Sequence, residues 1–341
     1  MDLINVADLL VAKIRKDYKD DIAIVALCGS YIYGDTHKKS DLDFYFIPRT
    51  KRGYEMSQCF ILEDIGFDFW GMSWNRAESL AKYNETNTSI ISKAQVIYHS
   101  SKEDLDRFNS LRNVGESISK EEFLRKATEQ AEVCQNYYFK MLEAGNRFSW
   151  VKQNAICVLY YSAFSIALLN HGYVERGGRN LLNEIMAMRL YPSNYQELYE
   201  KIICSNHIDE LVISSQEVIM SLRNLIQSQQ ETHKTSISPG YYEEIKSIYN
   251  KLLHACETDN QQGMMLAIAR LDNDVSQLMS EAGHSYSQFP DLFSDSKERD
   301  NSALVHAIQA HEAMFLEILR EQKVPVICYQ NIGEFRAHLN M

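Results

Sequence analysis

The fold of this chain is decided by LCGSYIYG at residues 27–34 and by SDLDFYFI at residues 40–47. An apolar run precedes the first segment and predicts a buried strand. Gly29 then allows a tight turn, and Ser30 is placed to cap a short helix whose free N–H groups suit a phosphate. Residues 41–47 alternate between polar and apolar side chains, which predicts a second strand.

Two carboxylates, Asp41 and Asp43, are expected on one face of this second strand, together with Tyr45. A strand rises about 3.3 Å per residue, so the two carboxylates would lie roughly 6.5 Å apart. That spacing lets both reach a pair of divalent ions held about 3.5–4 Å apart. Oxygen ligands with room for phosphates suit Mg²⁺. The segment therefore predicts a nucleoside triphosphate site, the alternative being a solvated edge strand that carries Asp-x-Asp by chance.

These residues, Gly29-Ser30 and Ser40-Asp41-Leu42-Asp43, resemble the signature of the DNA polymerase β-like nucleotidyltransferase superfamily. In layout the chain is most similar to the antibiotic nucleotidyltransferases, the aminoglycoside and lincosamide adenylyltransferases. The close resemblance covers roughly the first third of the chain. It implies an α+β nucleotidyltransferase domain, with a small mixed sheet and flanking helices, followed by all-α helical-bundle regions. It also implies that Gly29, Ser30 and Ser40 bind the β- and γ-phosphates.

The family pattern requires a third carboxylate on a neighbouring strand, and Asp68 is the candidate. It lies in an otherwise apolar run at residues 65–74, where an unpaired buried carboxylate would be costly without a metal or a cation. The alternative is an edge position that faces water. Glu63 and Asp64 are close in sequence but fall in a predicted turn.

The resemblance also implies a lysine from the helical domain that binds the triphosphate, and a carboxylate that acts as general base. Lys152 is the candidate lysine, because it is the only basic residue in the apolar segment at residues 150–169. The alternative is a lysine that extends its ammonium to solvent at the start of a helix. Glu132, Glu143 and Asp68 are the candidate bases, and the sequence does not choose among them.

Composition limits the class of protein. The 341 residues carry a formal net charge of −11, which disfavours binding to nucleic acid and favours small cationic ligands. The cysteines are dispersed without a Cys-x-x-Cys spacing, which predicts neither a zinc site nor a disulfide framework and is typical of a cytoplasmic protein. The start of the chain does not resemble a secretory signal, and no apolar run reaches the length of a membrane span.

Three domains are predicted from the pattern of strands and helices. The nucleotidyltransferase domain is expected at residues 1–115, a helical-bundle domain at 118–235 and a C-terminal helical region at 240–341. A polar linker is expected at 227–232.

The function implied by the resemblance is transfer of a nucleoside monophosphate, AMP from ATP, to a hydroxyl group of a small acceptor. Two Mg²⁺ ions are expected as cofactors, and the acceptor is expected to be a hydroxylated cation such as an aminoglycoside. The first alternative is an enzyme that transfers AMP to a protein hydroxyl. The second is an antitoxin-like module that keeps the fold without turnover. The chain could also form an oligomer.

Overall fold

The computed structural model describes residues 3–230, 237–297 and 301–339. The chain divides into two compact units, residues 1–230 and residues 231–341. The predicted boundary near residue 115 falls inside the first unit, in the 3₁₀ turn Val114–Ser117. The predicted linker begins inside a helix that continues to Gln229, and residues 231–232 lie outside the described residues. The three-domain division remains a prediction.

A mixed sheet forms the first part of unit 1. Its five strands have the order β3-β4-β2-β1-β5, with β2 and β4 parallel and the other neighbours antiparallel. The strands are β1 Ile22–Cys28, β2 Asp43–Pro48, β3 Gln58–Leu62, β4 Ile65–Gly71 and β5 Gln95–His99.

Strand β3 was missed by the sequence analysis because it is an edge strand whose side chains are mostly exposed. It pairs with β4 through the two-residue turn Glu63-Asp64, where both residues have positive φ. The prediction that Glu63 and Asp64 lie in a turn is therefore confirmed.

Helices cover both faces of the sheet. They are α1 Leu3–Asp17, α2 Trp74–Ala81, α3 Ser89–Ser92 and α4 Lys102–Leu111. Helix α1 packs Ile14 against Phe44 and Phe46 of β2, whereas α2 and α4 pack against the opposite face. Tyr45 was expected beside the aspartates on a polar face, but it is fully buried under α2 and α4, and its hydroxyl donates to the Ile90 carbonyl at 2.7 Å. The polar face thus ends at the first residue of β2.

Five further helices complete unit 1. They are α5 Lys120–Glu143, α6 Phe148–Leu169, α7 Leu181–Met186, α8 Tyr195–Cys204 and α9 Ile208–Gln229. Ser119 caps α5 by accepting a hydrogen bond from the Glu122 N–H. Helix α6 is buried along most of its length between α5, α8 and α9, as its nearly uniform apolar sequence predicts.

Unit 2 is helical in its described residues. Its helices are α10 Tyr241–Glu257, α11 Gln261–Ala282, α12 Leu292–Asp295, α13 Asn301–Glu321 and α14 Ile332–His338. None of the described helices of either unit combines the length and the apolar character needed to cross a membrane.

The core of unit 2 contains a buried histidine, His311, which we call the centre of the His311 network. The Tyr249 hydroxyl lies 2.7 Å from its Nδ1, and the Tyr286 hydroxyl lies 2.9 Å from its Nε2. Tyr286 donates its own proton to Asp272 at 2.5 Å. Tyr286 therefore accepts from Nε2–H, and Tyr249 donates to Nδ1, so that both ring nitrogens of a neutral imidazole are satisfied.

Candidate active site

A cleft of about 640 Å³ opens where the start of β2 faces a loop of the helical region of unit 1; we call it the cleft. Its size is within the range of small-molecule sites. Carboxylates outnumber cations among its described lining residues. The lining includes Gly29, Ser30, Asp35, Ser40, Asp41 and Asp43 on one side, and Glu175, Arg176, Gly177, Gly178 and Asn180 on the other.

The turn after β1 brings the backbone against Asp43. Gly29 has φ +68°, and a Cβ at this position would lie 2.8 Å from the Cβ of Asp43 and overlap its carboxylate. Only glycine fits both constraints. Ser30 lies inside the 3₁₀ turn Gly29–Tyr31 and makes no side-chain cap, so its predicted capping role is wrong. The turn is short because Asp35 N–H returns to the Ser30 carbonyl at 3.1 Å.

Asp43 is the first residue of β2 and pairs with Cys28, whereas Asp41 precedes the strand. The predicted strand thus begins two residues late, but both carboxylates line the cleft. Enclosure of the Asp43 carboxylate raises its pKa, the negative charge of Asp41 raises it further, and a hydrogen bond from the Ser30 backbone N–H lowers it. Two like charges near one another favour a bound cation between them.

Ser40 is buried in the loop that precedes the aspartates. Its hydroxyl oxygen accepts a hydrogen bond from the His37 N–H at 2.8 Å, and its own N–H donates to the His37 carbonyl at 2.9 Å. Lys39 N–H donates to His37 Nδ1 at 3.1 Å. These bonds hold the loop against the cleft, and Ser40 lines it as predicted; phosphate binding by Ser40 remains a prediction.

Asp68 stands beside Asp43 in the sheet but outside the cleft lining. Phe44 pairs with Phe69 in the parallel ladder, so the preceding residues, Asp43 and Asp68, are neighbours on the same face. The side chain of Asp68 is exposed rather than buried, and it accepts a hydrogen bond from the Cys59 thiol at 3.1 Å. The expectation of a buried carboxylate is wrong, while the metal-binding and base roles of Asp68 remain predictions.

Lys152 is placed away from the cleft, which corrects the prediction that it binds the triphosphate. Its ammonium donates to the carbonyls of Ile202, Ile203 and Ser205 at 2.7, 2.8 and 2.8 Å. These carbonyls end helix α8, where a cation is favourable. Tertiary packing of α8 against α6 creates this position, which the sequence of α6 cannot reveal.

Glu132 and Glu143, the two helical candidates for the general base, are exposed residues of α5. Neither is among the residues that line the cleft. The assignment of the base therefore stays open.

The sequence analysis missed the second wall of the cleft, which is the loop at residues 175–180. The carboxylate of Glu184, on α7, accepts N–H bonds from Glu175, Arg176 and Gly177 at 2.6, 2.8 and 2.9 Å. Both oxygens of one side chain thus fix three successive backbone groups. The Gly177-Gly178 pair beside arginine was the available signal, because glycines next to basic residues are common in anion-binding loops.

The donor set of the cleft fits Mg²⁺ bound jointly with phosphates. Within the described residues no group of three or more His, Cys, Asp or Glu side chains is arranged to hold a metal by itself. Mg²⁺, however, is commonly bound by one or two carboxylates together with substrate phosphates and water. Asp41 and Asp43 provide those two carboxylates at the open end of the cleft.

A small mixed sheet with a Gly-Ser turn that faces paired aspartates, followed by a helical bundle, defines the nucleotidyltransferase class of fold. Residues 105–232 match the family model of the KNTase C-terminal domain, where KNTase is kanamycin nucleotidyltransferase. The chain is accordingly assigned to the nucleotidyltransferase superfamily.

One solved structure similar to this chain is a nucleotidyltransferase-like protein from Exiguobacterium sibiricum. The two share 11% sequence identity over 92% of this chain and 91% of the other, with a TM-score of 0.41. No curated protein matches the sequence.

Proposed function

We propose that this protein is a Mg²⁺-dependent nucleotidyltransferase that transfers AMP from ATP to a hydroxyl group of a small molecule. One observation carries the proposal: Asp41 and Asp43 meet the Gly29–Ser30 turn in a single cleft. This combination provides ligands for a cation and a backbone turn for a phosphate within one site.

Each part of the cleft has a separate task. Asp41 and Asp43 would hold Mg²⁺, which when bound neutralises charge on the phosphates. The Gly29–Ser30 turn brings the backbone close to the phosphates, and the hydroxyl groups of Ser30 and Ser40 are donors on the same wall. Most of the rate increase would come from orientation and from fixed charges, since phosphoryl chemistry requires little covalent help from the protein.

The reaction conserves atoms and charge in a simple way. The acceptor oxygen forms a bond to the α-phosphorus, the bond from this phosphorus to the bridging oxygen breaks, and pyrophosphate leaves with the electron pair. The proton of the acceptor hydroxyl passes to a base. Because Glu132 and Glu143 are outside the cleft lining, carboxylates of the cleft itself are the stronger candidates.

The acceptor that best suits the cleft is a small hydroxylated cation such as an aminoglycoside. Carboxylates outnumber cations in the described lining, and the whole chain carries a net charge of −11. Both features attract cations and repel polyanions. Support also comes from the match of residues 105–232 to a domain of a kanamycin nucleotidyltransferase.

The test is incubation of the protein with Mg²⁺ and each of the four nucleoside triphosphates, with and without a panel of aminoglycosides, while pyrophosphate release is measured. We expect release that depends on an acceptor. Asp41→Asn and Asp43→Asn remove metal-ligand charge while keeping side-chain volume, so each should lower turnover by on the order of 10³-fold. Asp106→Asn, an exposed aspartate of α4, is the matched control.

Wild-type turnover in either cleft variant would show that the cleft is not the catalytic site. Labelling of a protein instead of a small molecule would identify the acceptor as a protein hydroxyl. Absence of both pyrophosphate release and triphosphate binding would indicate a module that keeps the fold without turnover.

A further inference from the structure

An ion pair joins the two walls of the cleft. Nη1 of Arg176, from the helical wall, lies 2.7 Å from Oδ2 of Asp35, from the sheet wall. The same guanidinium stacks over the ring of Tyr33, 4.8 Å from its centre. The Tyr33 hydroxyl in turn donates to the Glu175 carbonyl at 3.4 Å. The strongest cation of the helical wall is therefore held by a carboxylate of the opposite wall.

The backbone of this arginine is fixed independently of the ion pair. Glu184 accepts the N–H groups of residues 175–177, so the loop does not depend on Asp35 for its position. Loss of the Arg176–Asp35 contact would release only the end of the arginine side chain. The guanidinium can thus change partners while its Cα stays in the wall of the cleft.

The ion pair is also weak enough to exchange. The side chains of Arg176 and Asp35 are 41% and 31% exposed, and ion pairs with this access to water contribute about 1 kcal/mol or less. An arginine bound to a phosphate makes stronger, charge-assisted and frequently paired hydrogen bonds. A polyphosphate that enters the cleft therefore competes favourably with one carboxylate.

We propose that Asp35 is an internal competitor for the phosphate site: it holds Arg176 in the free protein, and the incoming triphosphate displaces it from the guanidinium. This inference rests on the proposed function, because it takes the nucleoside triphosphate as the ligand of the cleft. It gives Arg176 the phosphate-binding role and gives Asp35 the role of lowering triphosphate affinity. Asp35 acts only through Arg176, which makes it a positioning residue.

The test is a double-mutant cycle measured by calorimetric binding of ATP and of inorganic tripolyphosphate at fixed ionic strength with Mg²⁺. Arg176→Gln should weaken the binding of both ligands about tenfold, because a charge-assisted contact is lost. Asp35→Asn should strengthen it about two- to fivefold, because the competing ion pair is worth about 1 kcal/mol or less. The double variant should bind like Arg176→Gln alone.

The Glu78–Arg107 pair provides a matched control in the same unit. Its atoms lie 2.9 Å apart, its side chains are similarly exposed, and its guanidinium also covers an aromatic ring, that of Trp74. It is remote from the cleft lining, so Glu78→Gln and Arg107→Gln should leave both affinities unchanged.

The outcomes separate this inference from the proposed function. Wild-type affinity in Arg176→Gln would overturn the inference, even if turnover confirmed the enzyme. An equal effect of Asp35→Asn with and without Arg176 would also overturn it, because Asp35 would then act by general repulsion. If the wild type bound tripolyphosphate but no nucleoside triphosphate, and the cycle gave the expected pattern, the exchange would stand and the proposed function would fail. Binding of neither ligand would overturn both.

Discussion

The cleft of unit 1 and the His311 network of unit 2 both gather titratable side chains, but they treat them in opposite ways. In the network each ring nitrogen of His311 has a tyrosine partner, and the proton of Tyr286 goes to Asp272. In the cleft Asp41 and Asp43 carry the same charge, and their proximity raises the pKa of Asp43. The network satisfies its polar groups internally, whereas the cleft leaves its charges to be satisfied by a ligand.

This difference separates a structural polar cluster from a functional one better than burial alone. His311 is fully buried, yet its partners account for its hydrogen bonds without any ligand. Asp43 is solvent-accessible, yet a turn with positive φ at Gly29 brings the backbone against its carboxylate. Strained backbone and like charges at one open site are costs that ligand binding can offset.

The largest effect that would test the comparison is expected from Gly29→Ala. The new methyl group would overlap the Asp43 carboxylate and would require a non-glycine residue at φ +68°. We expect a loss of about 1–3 kcal/mol in the free energy of unfolding and a decrease in transfer of about 10²-fold, because the metal-ligand carboxylate is displaced. Denaturant unfolding and pyrophosphate release would measure the two effects.

Gly34→Ala is the matched control for this variant. Gly34 has the same φ, +68°, but no atom lies within 4 Å of the position that a Cβ would take, so only the backbone cost applies. Transfer by Gly34→Ala should therefore remain close to that of the wild type. Similar losses of transfer in both variants would show that the turn, and not its contact with Asp43, is what matters.

The sequence predicted the sheet wall of the cleft because its determinants are local. Gly29, Ser30, Asp41 and Asp43 lie within fifteen residues, and the strand-turn-strand pattern alone brings them together. The helical wall could not be predicted in this way, because Arg176 and Asp35 are separated by 141 positions. Their meeting depends on how the helical bundle packs on the sheet.

The second test concerns the pH dependence of unit 2. Burial lowers the pKa of His311 to about 4, although Asp272 and Glu312 oppose this shift. Because this folded-state value is below the usual one of about 6.5, the neutral imidazole stabilises unit 2 fully above pH 6.5. That contribution is lost as the pH falls toward 4, by about 2 kcal/mol at pH 5. Hydrogen exchange of α13 in the full chain would measure it.

His311→Gln should remove most of this pH dependence, since glutamine does not titrate. His306→Gln is the control, because His306 is exposed on the same helix. An equally steep loss of protection between pH 6.5 and 5 in His311→Gln would assign the effect to other groups, and the His311 network would no longer be the structural half of the comparison.

The smallest effect is expected from Lys152→Met, which tests whether this lysine belongs with the structural groups. Its ammonium satisfies carbonyls at the end of α8, just as the tyrosines satisfy His311. We expect the free energy of unfolding to fall by about 1–2 kcal/mol, because water replaces part of the lost hydrogen bonding at this half-buried position. Triphosphate affinity and turnover should not change.

Lys140→Met provides the reference for removal of an exposed lysine, since Lys140 lies at the surface over the ring of Tyr137. It should change stability by less than about 0.5 kcal/mol. If Lys152→Met instead lowered kcat by on the order of 10²-fold without loss of stability, Lys152 would leave α8 to contact the leaving phosphates during turnover. The helical wall would then supply its cation from α6, and Arg176 would lose the role that its place in the cleft suggests.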